Sequence, residues 1–146
     1  MIAFQTSIAI DRPLEQVFGY VSEPANFPSW NSAVQVVRPT AARASGVGST
    51  YSMERQLPTG PASNKLEIVA REHPHEFAIR ATEGPTPFLY RYRFVAEGDR
   101  TVIQLDAQVE LPAVARFMPQ LAARAVKRGV DDNLAALKLI LEDARR

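Results

Sequence analysis

The sequence predicts an α+β protein in which a curved antiparallel sheet wraps one long C-terminal helix. Three observations lead there. Residues 33–111 alternate apolar and polar positions between closely spaced turn signals, the period of half-buried strands. The last stretch of the chain instead repeats its apolar positions at helical spacing. The N-terminus reads as one strand followed by a short helix.

Ile2, Phe4, Thr6, Ile8 and Ile10 share one face of an extended segment, with Ala3, Gln5, Ser7 and Ala9 on the other. Asp11 is placed to cap the next helix, and Pro13 suits its first turn, where a missing N–H costs nothing. Leu14, Val17, Phe18 and Val21 then recur at helical spacing. Pro24 and Pro28 interrupt the chain, so residues 22–31 are expected to form a loop or a single irregular turn. Turn signals at Pro39 to Gly48, Pro58 to Pro61, His73 to His75, Gly84 to Pro87 and Gly98 to Asp99 divide the following text into a six-strand meander.

Tyr51, Met53 and Leu57, then Leu66, Ile68 and Ala70, then Phe88, Tyr90, Tyr92 and Phe94, then Ile103, Leu105, Ala107 and Val109 build its apolar face. Lys65, Glu67, Arg71, Arg91, Arg93, Gln104, Asp106 and Gln108 take the other face. A sheet with one apolar face needs a cover. The segment Met118 to Ala144, after a lead-in from Pro112 to Phe117, gathers Ala122, Val126, Gly129, Val130, Asn133, Leu137, Ile140 and Leu141 on one side. About 26 helical residues reach roughly 40 Å, enough to cross the sheet.

The chain of 146 residues is the usual size of one domain, residues 1–146. Seventeen Lys and Arg against sixteen Asp and Glu leave a net charge of +1, too balanced for nucleic acid to be an expected partner. With no Cys there is no disulfide, thiolate nucleophile or zinc cluster. The first residues lack the pattern of a signal peptide and no apolar run is long enough for a membrane span, so a cytoplasmic protein is expected.

This order of elements resembles the START-like, or SRPBCC, superfamily of the Bet v 1-like helix-grip fold, and within it the bacterial polyketide cyclase/dehydrase and lipid-transport proteins. The residues that carry the resemblance are IDRPLEQVFGYV from Ile10 to Val21, SEPANFPSW ending at Trp30, the Gly48 to Tyr51 strand start, REHPHEF from Arg71 to Phe77, and LAALKLILE from Leu134 to Glu142. The resemblance implies a seven-stranded curved antiparallel sheet, two short helices after the first strand, and a cavity between sheet and long helix. No cofactor is expected.

Side-chain size along the last helix points to the same cavity. Ala122, Val126 and Gly129 in its first half leave space, whereas Leu134, Leu137, Ile140 and Leu141 in its second half fill it. Asn133, on the same face, needs a partner, either backbone or water or a ligand. Tyr90 and Tyr92 either fill core or line the pocket. Arg55 shares the parity of Tyr51, Met53 and Leu57. If it pointed inward it would need a carboxylate or an anionic ligand group, so the favoured reading is that the strand ends or twists and Arg55 reaches solvent. Trp30 anchors its loop or gates the pocket, and Tyr51, Met53 and Phe77 complete the candidate ligand-binding set.

His73 and His75 sit in one turn and are read as exposed, which leaves no metal site. No phosphate loop, nucleophile elbow or HExxH motif is present, and Glu83, Asp99 and Asp106 make no convincing carboxylate pair. The favoured function is binding or transport of a small hydrophobic ligand. A polyketide cyclase or dehydratase acting on such a ligand is the alternative, and a protein-interaction module of the ribosome- or quinone-associated kind is a third. A homodimer is left open.

Overall fold

The computed structural model describes residues 1–40, 46–58, 60–111, 115 and 117–143. Parts of the expected turn at Pro39 to Gly48, of the expected lead-in to the last helix and of that helix's expected end at Ala144 lie outside the described residues. The elements are β1 (Ile2–Ile10), α1 (Leu14–Val21), a 3₁₀ turn (Pro24–Asn26), α2 (Phe27–Trp30), β2 (Val34–Pro39), β3 (Thr50–Leu57), β4 (Gly60–Glu72), β5 (Glu76–Thr82), β6 (Phe88–Glu97), β7 (Arg100–Val109) and α3 (Pro119–Glu142). Seven antiparallel strands run in the order β1-β7-β6-β5-β4-β3-β2. The meander expected from alternation is therefore present, and β1 joins β7 at one edge, with Ile2 opposite Val109 and Ile10 opposite Thr101.

Residues 22–31 are more ordered than their prolines alone imply, and α2 is the second short helix that the resemblance implies. Pro24 and Pro28 fall in the first turns of the 3₁₀ segment and of α2, where the missing N–H breaks no bond, so each proline starts a helical turn instead of ending one. Asp11 does not cap α1. Pro13 occupies the N-cap with no side-chain bond, and the Asp11 N–H donates to Glu142 Oε2 at 2.6 Å.

β4 carries a bulge between Ile68 and Ala70. The extra residue reverses the parity beyond it, so Arg71 comes opposite the inward Phe77 and its guanidinium lies over the Phe18 ring at 5.3 Å. Arg71 thus leaves the polar face assigned to it by simple alternation. Other charges of that face form surface pairs, among them Arg91 with Glu76 and Arg93 with Asp106, both at 2.6 Å.

The core lies between the inner face of the sheet, α1, α2 and the C-terminal half of α3. Phe18 of α1 meets Phe94 of β6 edge-on, with ring centroids 5.2 Å apart. From α3, Val130, Leu134, Leu137 and Leu141 are buried. This half of the helix is also tied to the N-terminal strand, since Lys138 Nζ donates to the Ala9 carbonyl at 2.7 Å and pairs with Glu142. Higher up the helix the Thr6 hydroxyl donates to Asp131 Oδ1 at 2.6 Å.

The buried stripe of α3 is rotated from the one expected. Gly129 precedes Val130 by one residue, about 100° of rotation, and it is exposed instead of facing the sheet. A Cβ built on it would meet nothing within 4 Å.

Leu137 and Leu139 test this assignment on one helix with one residue type. Leu137 is fully buried and Leu139 is 75% exposed. Leu137→Ala is expected to lower unfolding free energy by about 2–5 kcal/mol in denaturant titration, and Leu139→Ala to change it by less than about 0.5 kcal/mol.

Candidate functional site

The inner face of β6 presents Phe88, Tyr90, Tyr92 and Phe94 in succession, because alternate residues of a strand share a face. Their rings form a continuous row. Phe88 stacks on Tyr90 at 4.2 Å between centroids, and Tyr90 meets Tyr92 edge-on at 6.4 Å. Trp30, at the end of α2, closes the upper end of the row, edge-on to Tyr92 at 6.4 Å and to Phe27 at 5.7 Å. Phe77 of β5 stacks against Tyr92 from the side.

Arg55 bounds the lower end. It does not reach solvent, contrary to the reading favoured from the sequence. The strand continues regularly, with Arg55 opposite Ala62 and Leu57 opposite Gly60, so parity sends the guanidinium inward, where only 8% of the residue is exposed. Its partners are neutral. Nε and Nη2 donate to Asn64 Oδ1 at 3.0 and 2.6 Å, and Nη2 also reaches the carbonyls of Pro85 and Thr86 and the Thr86 hydroxyl. The guanidinium carbon lies 5.7 Å from the Phe88 ring centre. Among the described residues no carboxylate forms an ion pair with it.

This clasp shapes the β5–β6 turn. Thr86, a β-branched residue, is held at φ 47°, and Glu83 at φ 55°, both in the left-handed region that such side chains rarely adopt. Asn64 completes the arrangement by donating to the Thr82 and Pro85 carbonyls. Gly84 packs so closely that a Cβ there would strike the Ser63 carbonyl and the Asn64 side chain. Asn64 was legible as a candidate, since it shares the inward parity of Leu66 and Ile68, but alternation says nothing of the turn that closes over it.

Four polar groups along this row lack a protein partner among the described residues. Trp30 Nε1 is fully buried and has no hydrogen bond. The hydroxyls of Tyr90 and Tyr92 and Nη1 of Arg55 have no described partner either. All four can donate. Burial pushes the Tyr90 phenol up to about 12 against the opposing pull of the Arg55 cation. Burial, with Tyr90 adding to it, drives the Tyr92 phenol up as well, and burial lowers the Arg55 guanidinium.

Other candidates are placed differently. Met53 and Phe77 are core residues with 1% and 0% exposure, and Tyr51 is buried on the same face. Asn133 lies at the flank of α3 and accepts a bond from the Ser32 backbone N–H at 3.3 Å, so loop backbone satisfies it. Ala122 and Val126 are half-buried near the start of α3. His73 is an exposed turn residue that contacts Glu15 at 2.8 Å and meets the Phe18 ring edge-on. Among the described residues no cluster of His, Cys, Asp or Glu is suited to a metal ion, and no helix is long and apolar enough to cross a membrane.

Residues 1–142 match the model of the family described as polyketide cyclase / dehydrase and lipid transport. The chain belongs to this family. No curated protein is significantly similar to it. Among solved structures it is similar to TTHA0849 from Thermus thermophilus, with 16% identity, a TM-score of 0.79 and 94% of each chain covered. A START superfamily protein from Mycobacterium smegmatis has 17% identity and a TM-score of 0.76, covering 96% of this chain and 97% of that one. The di-domain ARO/CYC StfQ of the steffimycin biosynthetic pathway has 13% identity and a TM-score of 0.76, and 97% of this chain covers 51% of it. At such identities the shared property is the helix-grip fold.

Two measurements test the site. Gly84→Ala is expected to destabilise the protein by about 1–3 kcal/mol, because a fixed carbonyl blocks the added methyl; an unchanged denaturation midpoint would show the turn to be loosely packed. The second is alkaline. Unfolded phenols ionise near 10.0, whereas folded Tyr90 and Tyr92 keep their protons. The unfolded state then binds fewer protons, so stability present below pH 10 falls as pH rises from there towards about 12. Thermal melts should show this fall, and Tyr92→Phe should reduce it.

Proposed function

We propose that this protein binds a small, largely apolar molecule in the space between the inner face of the sheet and the N-terminal half of α3. One observation carries the reading. Phe88 and Tyr90 face the protein interior but stay half-exposed, and so do Ala123 and Val126 on the inward side of α3, whereas the same side of α3 is buried from Val130 to Leu141. Half-exposed aromatic rings on the inner face of the sheet, together with half-exposed small side chains on the inward side of the helix, are what a recess between two layers leaves behind.

The polar chemistry favours binding over catalysis. A general base must be unprotonated near its working pH, and the two phenols are held in the opposite state. Among the described residues no His, Asp or Glu lies in the ring row, so the row offers donors that orient a ligand. The name of the family and the ARO/CYC title of StfQ keep a cyclase reading in view. In that reading, folding a flexible chain into reactive geometry would be the main contribution. A third reading, a docking surface for another macromolecule, draws on Phe117, Met118 and Leu121, exposed by 87%, 61% and 57% at the start of α3. With no cysteine in the sequence, the fold needs no oxidising compartment, which fits a cytoplasmic protein.

Val126→Trp tests the binding reading by filling the recess. The purified wild type is expected to bind Nile red with a fluorescence increase, and the variant to keep its circular dichroism and melting temperature while its probe affinity falls at least about tenfold. Undiminished binding by a folded variant would place the ligand elsewhere.

A further inference from the structure

We infer that the ligand of this recess is an apolar carboxylate whose head is held between Arg55 and Tyr90, with acceptor oxygens further along it meeting Tyr92 and Trp30. This rests on the binding site proposed above and names the class of molecule it takes.

The argument starts from charge. Arg55 is an inward cation on the apolar face, and none of its described partners is anionic: an amide oxygen, two backbone carbonyls and a hydroxyl. Those acceptors engage Nε and Nη2 and leave Nη1 without a described partner. They also fix the guanidinium plane through the β5–β6 turn. A cation positioned by neutral dipoles keeps its full charge for an incoming group, and a partly desolvated guanidinium binds a planar carboxylate more strongly than any neutral oxygen. Tyr90 is the titratable group that Arg55 feels, and its phenol, held protonated, supplies a second donor beside the first.

The rest of the row sets the remainder of the ligand. Tyr92 and Trp30 follow Tyr90 in ring-to-ring steps of 6.4 Å each. Both carry donors without described partners, Trp30 Nε1 being fully enclosed. Between the donors the surface is aromatic. A molecule that satisfies all of them has a carboxylate at the Arg55 end, an apolar body, and oxygen acceptors towards the Trp30 end. A basic or donor-rich molecule would face like groups throughout.

Binding of dodecanoate and of methyl dodecanoate, read by displacement of Nile red and by fluorescence of the single tryptophan, tests the assignment. The wild type is expected to bind the carboxylate at least about tenfold more tightly than the ester, a difference of about 1.4 kcal/mol. Arg55→Gln should bring the two affinities together and Arg55→Lys should retain part of the preference. Should Arg55→Gln fail to fold, Tyr90→Phe, which leaves the clasp intact, should still reduce the preference several-fold. Equal affinities in the wild type, or a preference that survives both Arg55→Gln and Tyr90→Phe, would overturn the carboxylate assignment while leaving the apolar site standing. Failure of Nile red itself to bind would remove the site, and this inference with it.

Discussion

One long helix must cover an apolar sheet face much wider than itself. Seven strands at a spacing of about 4.8 Å span roughly 29 Å, whereas a helix with its side chains is about 10–12 Å across. Curvature of the sheet narrows the gap, and α1 and α2 cover part of the remainder. Here the chain resolves the mismatch unevenly along α3. Its C-terminal half is pressed down by Leu134, Leu137 and Leu141 and tied to β1 through Lys138 and Glu142. Its N-terminal half presents Ala122, Ala123 and Val126, which are half-buried, while Phe88 and Tyr90 on the inner face of β6 stay half-exposed.

The Phe88 end of the aromatic row is bounded by a cation, and its construction explains several otherwise unrelated features. An inward arginine on an apolar face is tolerable only if its donors are satisfied. Asn64 on the neighbouring strand and the carbonyls of the β5–β6 turn do this, and the turn must bend back over the sheet to reach. That bend accounts for two non-glycine residues at positive φ and for the glycine between them that admits no Cβ. Local strain is thus held by the hydrogen bonds of two side chains, Arg55 and Asn64.

Much of this was legible in the sequence, because strand parity and helical period are read directly from residue order. The strands, the apolar row Phe88 to Phe94, and the inward parity of Arg55 and Asn64 all follow from alternation. The failures have physical causes. Parity was right for Arg55 but was set aside for the cost of a buried charge, since neutral partners contributed by a distant turn leave no mark in local pattern. Arg71 was misplaced because a single bulged residue inverts everything beyond it. Gly129 was misplaced because a helix carrying small residues through its first half has no sharp apolar stripe, so its phase is set by Leu134 and Leu137 downstream. Pro24 and Pro28 were read as breakers because the same residue that ends a helix also suits its first turn.

Such a site discriminates chiefly through its polar groups. An apolar recess separates ligands differing by one methylene by only about 1–3 kcal/mol, whereas a buried donor left unpaired excludes a ligand lacking its partner far more strongly. The aromatic walls of the site proposed above would suit many molecules and specify few. In the proposed site the selective elements would be the indole N–H of Trp30, two phenols held in the donor state, and a guanidinium fixed by neutral partners. These four groups lie on three different elements, α2, β6 and β3, and are brought into one row by the sheet's register and by the placement of α2 beside it. Any change in register would scatter them, so the order of the core and the selectivity proposed for the site rest on the same strand pairing.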